Sequence, residues 1–106
     1  VYFSKIKKNS IKAWKKNKTS NQLLYIFEGS IVLKVFDDRK KKNKIYKYCL
    51  GSKLKYSKIF IPKNVWYGFK GLKKNNIIAN TLTVSHSKCK MLTLDLKNKY
   101  IPTNWK

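Results

Sequence analysis

Apolar residues in this chain recur mostly at every second position. In QLLYIFEGSIVLKVFDD, Gln22 to Asp38, two apolar runs are broken by Glu28-Gly29-Ser30, and Ile31, Leu33 and Val35 alternate with Val32, Lys34 and Phe36. A period of two predicts β-strands, and Gly29 predicts a hairpin or a closely spaced strand pair. The polar stretch DDRKKKNK, Asp37 to Lys44, predicts a solvated loop from which IYKYCL returns as the next strand. VYFSKI opens the chain with β-forming residues. KYSKIFIP reads as a strand ended by Pro62, which has no N–H for a ladder. NNIIANTLTVSH and KMLTLDL predict two more strands, and KYIPTNW is a proline-turned aromatic tail. At least six short strands and no helical pattern predict an all-β barrel or sandwich in a single domain spanning 1–106.

Composition adds an unusual charge. The chain has 106 residues, 42% hydrophobic and 14% aromatic, enough for one core, with a formal net charge of +22. Nearly all of that charge is lysine, Arg39 being the one arginine. Arginine is the usual base reader and phosphate clamp. Lys, Asn, Ile, Tyr and Phe share A/T-rich codons, so a biased genome accounts for the charge. The expectation is weak, salt-sensitive sticking to polyanions and no specific nucleic-acid partner. No apolar run reaches the roughly 18 residues of a membrane-spanning helix, and no secretory h-region is present. The expected location is cytoplasmic, with no membrane partner. The chain starts at Val1, not Met, so further N-terminal sequence is expected. Cys49 and Cys89 form no CxxC pair and read as reduced thiols.

Motif-bearing chemistry is sparse. The acids are Glu28, Asp37, Asp38 and Asp95, with no evident carboxylate pair for glycoside hydrolysis. His86 is the one histidine, so no metal site is expected. It is either a general acid or base or a surface histidine of the turn VSHSKCK. The densest cluster is IPKNVWYGFKGL, Ile61 to Leu72, where alternation puts Tyr67 and Phe69 on one face and Trp66 on the other.

Three stretches, IKAWKKNKTSNQLLYIFEGSIVLKVFDDR, IPKNVWYGFKGL and YIPTNW, resemble in order and spacing the dTDP-4-dehydrorhamnose 3,5-epimerase-like cupins of surface-polysaccharide synthesis. The resemblance spans almost the whole chain. It implies a cupin-type double-stranded β-helix, or jelly-roll barrel, and a homodimer formed by strand exchange or sheet packing. It implies a nucleotide-sugar ligand and no cofactor. The family's phosphate-binding arginine matches Lys12 and its following glycine matches Ala13. The base histidine matches Lys15, a further polar position matches Asn17, and the second-block histidine matches Tyr67. The second-block glycine matches Asn64, and a late Tyr or His matches His86. Both motif histidines are thus replaced.

The activity this implies is proton transfer beside a 4-keto group of a dTDP-sugar. Lys15, Tyr67 and His86 are the expected catalytic set, and Lys12, Asn17, Tyr25, Trp66 and Asn80 the expected ligand contacts. Two alternatives stand beside it. One is a non-catalytic cupin that holds a nucleotide sugar or glycan. The other is a basic β-barrel that stacks single-stranded nucleic acid on Tyr46, Tyr48 and Tyr56.

Overall fold

In a computed structural model, which describes residues 2–40, 43–83, 90–103 and 105, the alternating runs become nine strands. They are β1 (Tyr2–Lys7), β2 (Ile11–Asn17), β3 (Gln22–Glu28), β4 (Ser30–Asp37), β5 (Lys44–Gly51), β6 (Lys58–Ile61), β7 (Trp66–Gly71), β8 (Asn75–Leu82) and β9 (Met91–Thr93). No helix forms among the described residues. The strands build two antiparallel sheets, β1-β8-β3-β6 and β5-β4-β7-β2-β9. The sheets face one another, and the β-branched and aliphatic side chains on their inner faces make the main core. Ile6, Leu24, Ile26, Ile31, Leu33, Leu50, Ile61 and Ile78 belong to it, joined by Tyr67 and Phe69. This is the jelly-roll arrangement of a cupin.

The predicted loop at 37–44 does join a hairpin, with β4 and β5 pairing from Ser30↔Gly51 to Asp37↔Lys44. The turn at Gly29 corrects a sequence expectation. β3 pairs with β6 and β8, whereas β4 pairs with β5 and β7, so Glu28-Gly29-Ser30 passes the chain between sheets and closes no hairpin. Gly29 has φ +79°, and a Cβ there would collide with the Asn75 carbonyl at 2.5 Å. Glycine is what this corner admits. Beneath it, the buried Asn76 amide pins the same end of the sandwich. Its Oδ1 accepts from the N–H groups of Ser30 (2.9 Å) and Lys73 (3.2 Å), and its Nδ2 donates to the carbonyls of Ile6 (3.0 Å) and Lys73 (2.9 Å).

A second core lies on the outer face of the five-stranded sheet. Trp14, Phe36 and Trp66 point outward there and are covered by Leu94, Ile101 and Trp105 of the C-terminal segment. Trp105 packs on Trp14 with ring centroids 5.4 Å apart. Gly68 makes this possible, because a Cβ at that position would meet Trp105 Cζ2 at 3.0 Å and run into Ala13.

Candidate functional site

The inner faces are apolar except toward the end opposite Asn76, where polar side chains converge. Tyr67 on β7 donates its hydroxyl to Gln22 Oε1 on β3 at 3.1 Å. Asn80 on β8 donates Nδ2 to the same Gln22 oxygen at 2.8 Å and to the Tyr2 hydroxyl at 2.9 Å. Two sheets therefore meet through a hydrogen-bonded row of β1, β8, β3 and β7 side chains. Gln22, Tyr67 and Asn80 are each at least 95% buried. On β2, Lys15 lies opposite Tyr67, and alternation puts Lys15 and Asn17 on the Tyr67 face. Asn17 is buried, and its Oδ1 accepts from the backbone N–H groups of Thr19 (3.1 Å) and Ser20 (2.9 Å), which makes a tight turn beside the site.

The amides at the two ends differ. Asn76 uses both of its polar atoms. Asn80 Oδ1 and Asn17 Nδ2 are buried without a hydrogen-bond partner. A buried polar atom left unpaired costs about 1–3 kcal/mol, and sites that bind ligands are where such a cost is recovered. One free acceptor and one free donor thus lie at the polar end of the barrel.

Of the residues expected from sequence, Asn17, Tyr67 and Asn80 are buried at this end, while Lys15 is the cross-strand neighbour of Tyr67 with an exposed side chain. Lys12 is exposed on β2 opposite Phe69. Two others do not join them. Tyr25 lies on the outer face of its sheet, since period-two alternation turns Leu24 and Ile26 inward. Trp66 faces the second core and donates Nε1 to Asp38 at 3.3 Å. His86 lies outside the described residues, as does Cys89. Sequence reasoning missed Gln22 and Tyr2. Gln22 had a legible signal: it is the polar member of the inward set Gln22, Leu24, Ile26 in an otherwise apolar strand.

Asp38 falls in the stretch that the sequence predicts to be a solvated loop. Instead it anchors the C-terminal segment, receiving Tyr100 Oη (2.7 Å), Lys16 Nζ (3.1 Å) and Trp66 Nε1. Burial alone would raise the Asp38 carboxyl, but these three donors outweigh it and hold it below its ordinary value. Tyr100 is correspondingly raised by its bond to Asp38. The Arg39 hydrogen bonds lower Asp37. Lys34 lies over the Trp105 ring at 5.0 Å and bonds Thr103 Oγ1 at 3.0 Å. Burial first, then the neighbouring Lys47 and Lys70, lowers its pKa.

A separate groove of about 200 Å³ opens between the edge strands β5 and β6, lined by Arg39, Tyr46, Tyr48, Phe60 and Pro62 among others. Tyr46 and Tyr48 stack along it with centroids 6.4 Å apart. Among the described residues, no three His, Cys, Asp or Glu side chains come together. Among the described residues no helix is long and apolar enough to cross a membrane.

No protein-family model and no curated protein matches the chain. Solved structures do. It is similar to a dTDP sugar isomerase from Desulfovibrio desulfuricans G20, with a TM-score of 0.91 and 28% identity over 98% of this chain and 69% of that one. It is also similar to dTDP-6-deoxy-D-glucose-3,5-epimerase RmlC from Legionella pneumophila Philadelphia 1, solved in complex with dTDP-4-keto-L-rhamnose. There the TM-score is 0.72 and the identity 19%, over 88% of this chain and 52% of that one. An oxalate oxidase shares the fold at a TM-score of 0.73 and 8% identity, over 85% and 43% of the two chains. The fold is that of an RmlC-like cupin.

Proposed function

We propose that this chain binds a dTDP-sugar at the polar end of its barrel and moves a proton beside the sugar's 4-keto group, as a cytoplasmic isomerase or epimerase of deoxysugar synthesis. One observation carries the reading. The chain superimposes over nearly its full length on a dTDP sugar isomerase, and its own barrel presents a converging polar set with a free acceptor and a free donor. Removing a carbon-bound proton needs a base, and the developing enolate needs a donor. Lys15 supplies the base in this reading, and Tyr67 across the strand pair supplies the hydroxyl. His86 is the returning acid. Lys12 supplies charge for the diphosphate, and Asn17 and Asn80 hold the ligand's polar groups. The working form is a homodimer.

A second reading rests on a specific feature. The described inner-face set is rich in amides, and the Tyr67 hydroxyl is already engaged by Gln22. Amides bind but do not exchange protons. A pocket that holds a nucleotide sugar without turning it over fits that composition. Calorimetric titration with dTDP at about 0.15 M salt, where exposed charges are largely screened, tests both readings. Saturable one-to-one binding is expected, and absence of binding would sink both. Turnover of a dTDP-4-keto-6-deoxy sugar that Lys15→Ala abolishes selects the enzyme. Binding without turnover selects the binder.

A further inference from the structure

Most of the described lysines are fully exposed. Among the described residues three are drawn part-way in, Lys16, Lys34 and Lys70. Burial strips water from an ammonium, so a half-buried one calls for a counter-charge. Lys16 has one, the Asp38 carboxylate at 3.1 Å. Lys34 and Lys70 are placed differently. They stand on β4 and β7, inside the five-stranded sheet. Lys34 Nζ donates to Thr103 Oγ1 at 3.0 Å and Lys70 Nζ to the Trp105 carbonyl at 3.2 Å, and both of those oxygens are neutral.

Register brings the cations together. Val32 lies opposite Lys70, so Lys34, two residues on, shares that outer face. On the other flank, Lys47 of β5 lies directly opposite Lys34. Three lysines thus occupy adjoining strands on one face of the sheet. Like charges set opposite each other weaken a strand pair. Lys34 responds to both neighbours, since burial first, then Lys47, then Lys70 lower its pKa. The ion pairs among the described residues are Lys16–Asp38 and Arg39–Asp37, so neither Lys47 nor Lys70 meets a carboxylate there. The same corner holds another donor. Lys34 Nζ lies over the Trp105 ring at 5.0 Å, and the Nε1 atom of that ring is buried without a hydrogen-bond partner.

Three ammoniums and an indole N–H are all donors, so their ligand is an acceptor. One carboxylate balances one lysine. A phosphate brings about two negative charges at neutral pH and an oxygen for each donor, and lysines hold it as point charges. Thr103 and Trp105 touch two of the three ammoniums and close that side, which suits a small anion better than a long polymer. We propose that Lys34, Lys47 and Lys70, with the Trp105 indole beside them, form a binding site for a small phosphate-class anion on the outer face of the five-stranded sheet. Because Lys34 and Lys70 hold the C-terminal segment, an anion that fixes them also fixes that segment. The site stands apart from the dTDP reading, in which Lys12 supplies charge for the diphosphate. Lys12 lies opposite the core residue Phe69, and alternation turns it to the other side of the sheet from Lys70.

Calorimetric titration of the full chain with inorganic phosphate, and separately with diphosphate, tests it at about 0.15 M ionic strength held with NaCl. Saturable one-to-one binding is expected. Phosphate should also raise the melting temperature and slow proteolysis of the C-terminal segment, and NaCl at equal ionic strength should do neither. Lys47→Met alters an exposed side chain and is expected to weaken phosphate binding about fivefold. Lys34→Met is expected to weaken it about tenfold or more. Without phosphate, Lys34→Met should melt no lower than the parent chain, since it relieves like-charge repulsion, so its lost binding is read in a folded protein. Lys53→Met, on an exposed turn, is expected to bind phosphate as the parent does. No saturable binding of either anion overturns the proposal. So does binding that Lys34→Met and Lys47→Met leave intact. Binding that Lys12→Met abolishes would put the anion at the barrel and overturns it too. A chain that ignores phosphate but holds single-stranded DNA at that salt through Lys34 overturns it in favour of a polymer. Titrating Lys34→Met with dTDP shows separately whether the barrel site stands.

Discussion

Gln22 takes two hydrogen bonds on one oxygen, from Tyr67 and Asn80, at the point where the sheets meet. Gln22→Ala removes the acceptor that Tyr67 and Asn80 share. The expected cost is about 2 kcal/mol in urea unfolding, with weaker dTDP binding; a change below a few tenths of a kcal/mol would mean the network relaxes without loss. Asn64 has φ +69°, in the left-handed region. Asn64→Ala should cost about 1 kcal/mol, and Asn64→Gly should be tolerated, a contrast visible in melting temperature. Asp38 has a lowered folded-state pKa, so it adds stability above the ordinary carboxylate range, lost as pH falls through the folded value. Asp38→Asn should therefore flatten the acid limb of a stability-versus-pH curve. Lys34 runs the other way. Its folded-state pKa is lowered, so its charged form opposes folding at neutral pH, and stability should rise as pH climbs from the folded value toward the ordinary lysine value. Lys34→Met should remove that alkaline rise. At this scale the sequence singled out Asn17, Tyr67 and Asn80, which the fold buries, whereas the tie through Gln22 needed four strands to be placed.

The C-terminal segment is the element that distinguishes the two outer faces. It has little regular structure, yet it seals Trp14, Phe36 and Trp66 through Ile101 and Trp105. Its polar anchors include the Tyr100–Asp38 bond, the Lys34 Nζ bond to Thr103 and the Lys70 Nζ bond to the Trp105 carbonyl at 3.2 Å. Trp105→Ala should cost about 2–3 kcal/mol, less than a fully buried tryptophan because Trp105 is partly exposed. Faster proteolysis of the segment is the companion readout. Most strand positions and the 37–44 loop followed from alternation and turn residues, although β2 was not among the strands so predicted. The role of Gly29 did not, because a glycine in a turn looks the same whether the chain folds back or changes sheets. The difference is set by Asn75 and Asn76, far away in sequence.

For the molecule as a whole, the +22 charge comes from lysines spread along the length of the chain. Binding to single-stranded DNA should be weak and should vanish by about 0.15 M salt. Submicromolar affinity persisting at that salt would revive the nucleic-acid reading. Self-association should respond to salt in the opposite sense. The all-β class and the cupin resemblance were both readable before the structure, since spacing of the three blocks survives where individual residues drift.

By itself the sequence determined most of the strands, the all-β class and the absence of helical periodicity, because alternation and turn chemistry are local and act within a few residues. It also placed Tyr67 and Trp66 on opposite faces. Only the tertiary structure decided that Tyr25 points out of the barrel while Asn80 points in, that Asp38 anchors the tail, and that β3 carries a second apolar face with none of the described residues packed over it. Those outcomes depend on which distant strands pair and in what register, and pairing energy is earned between residues that the sequence keeps far apart.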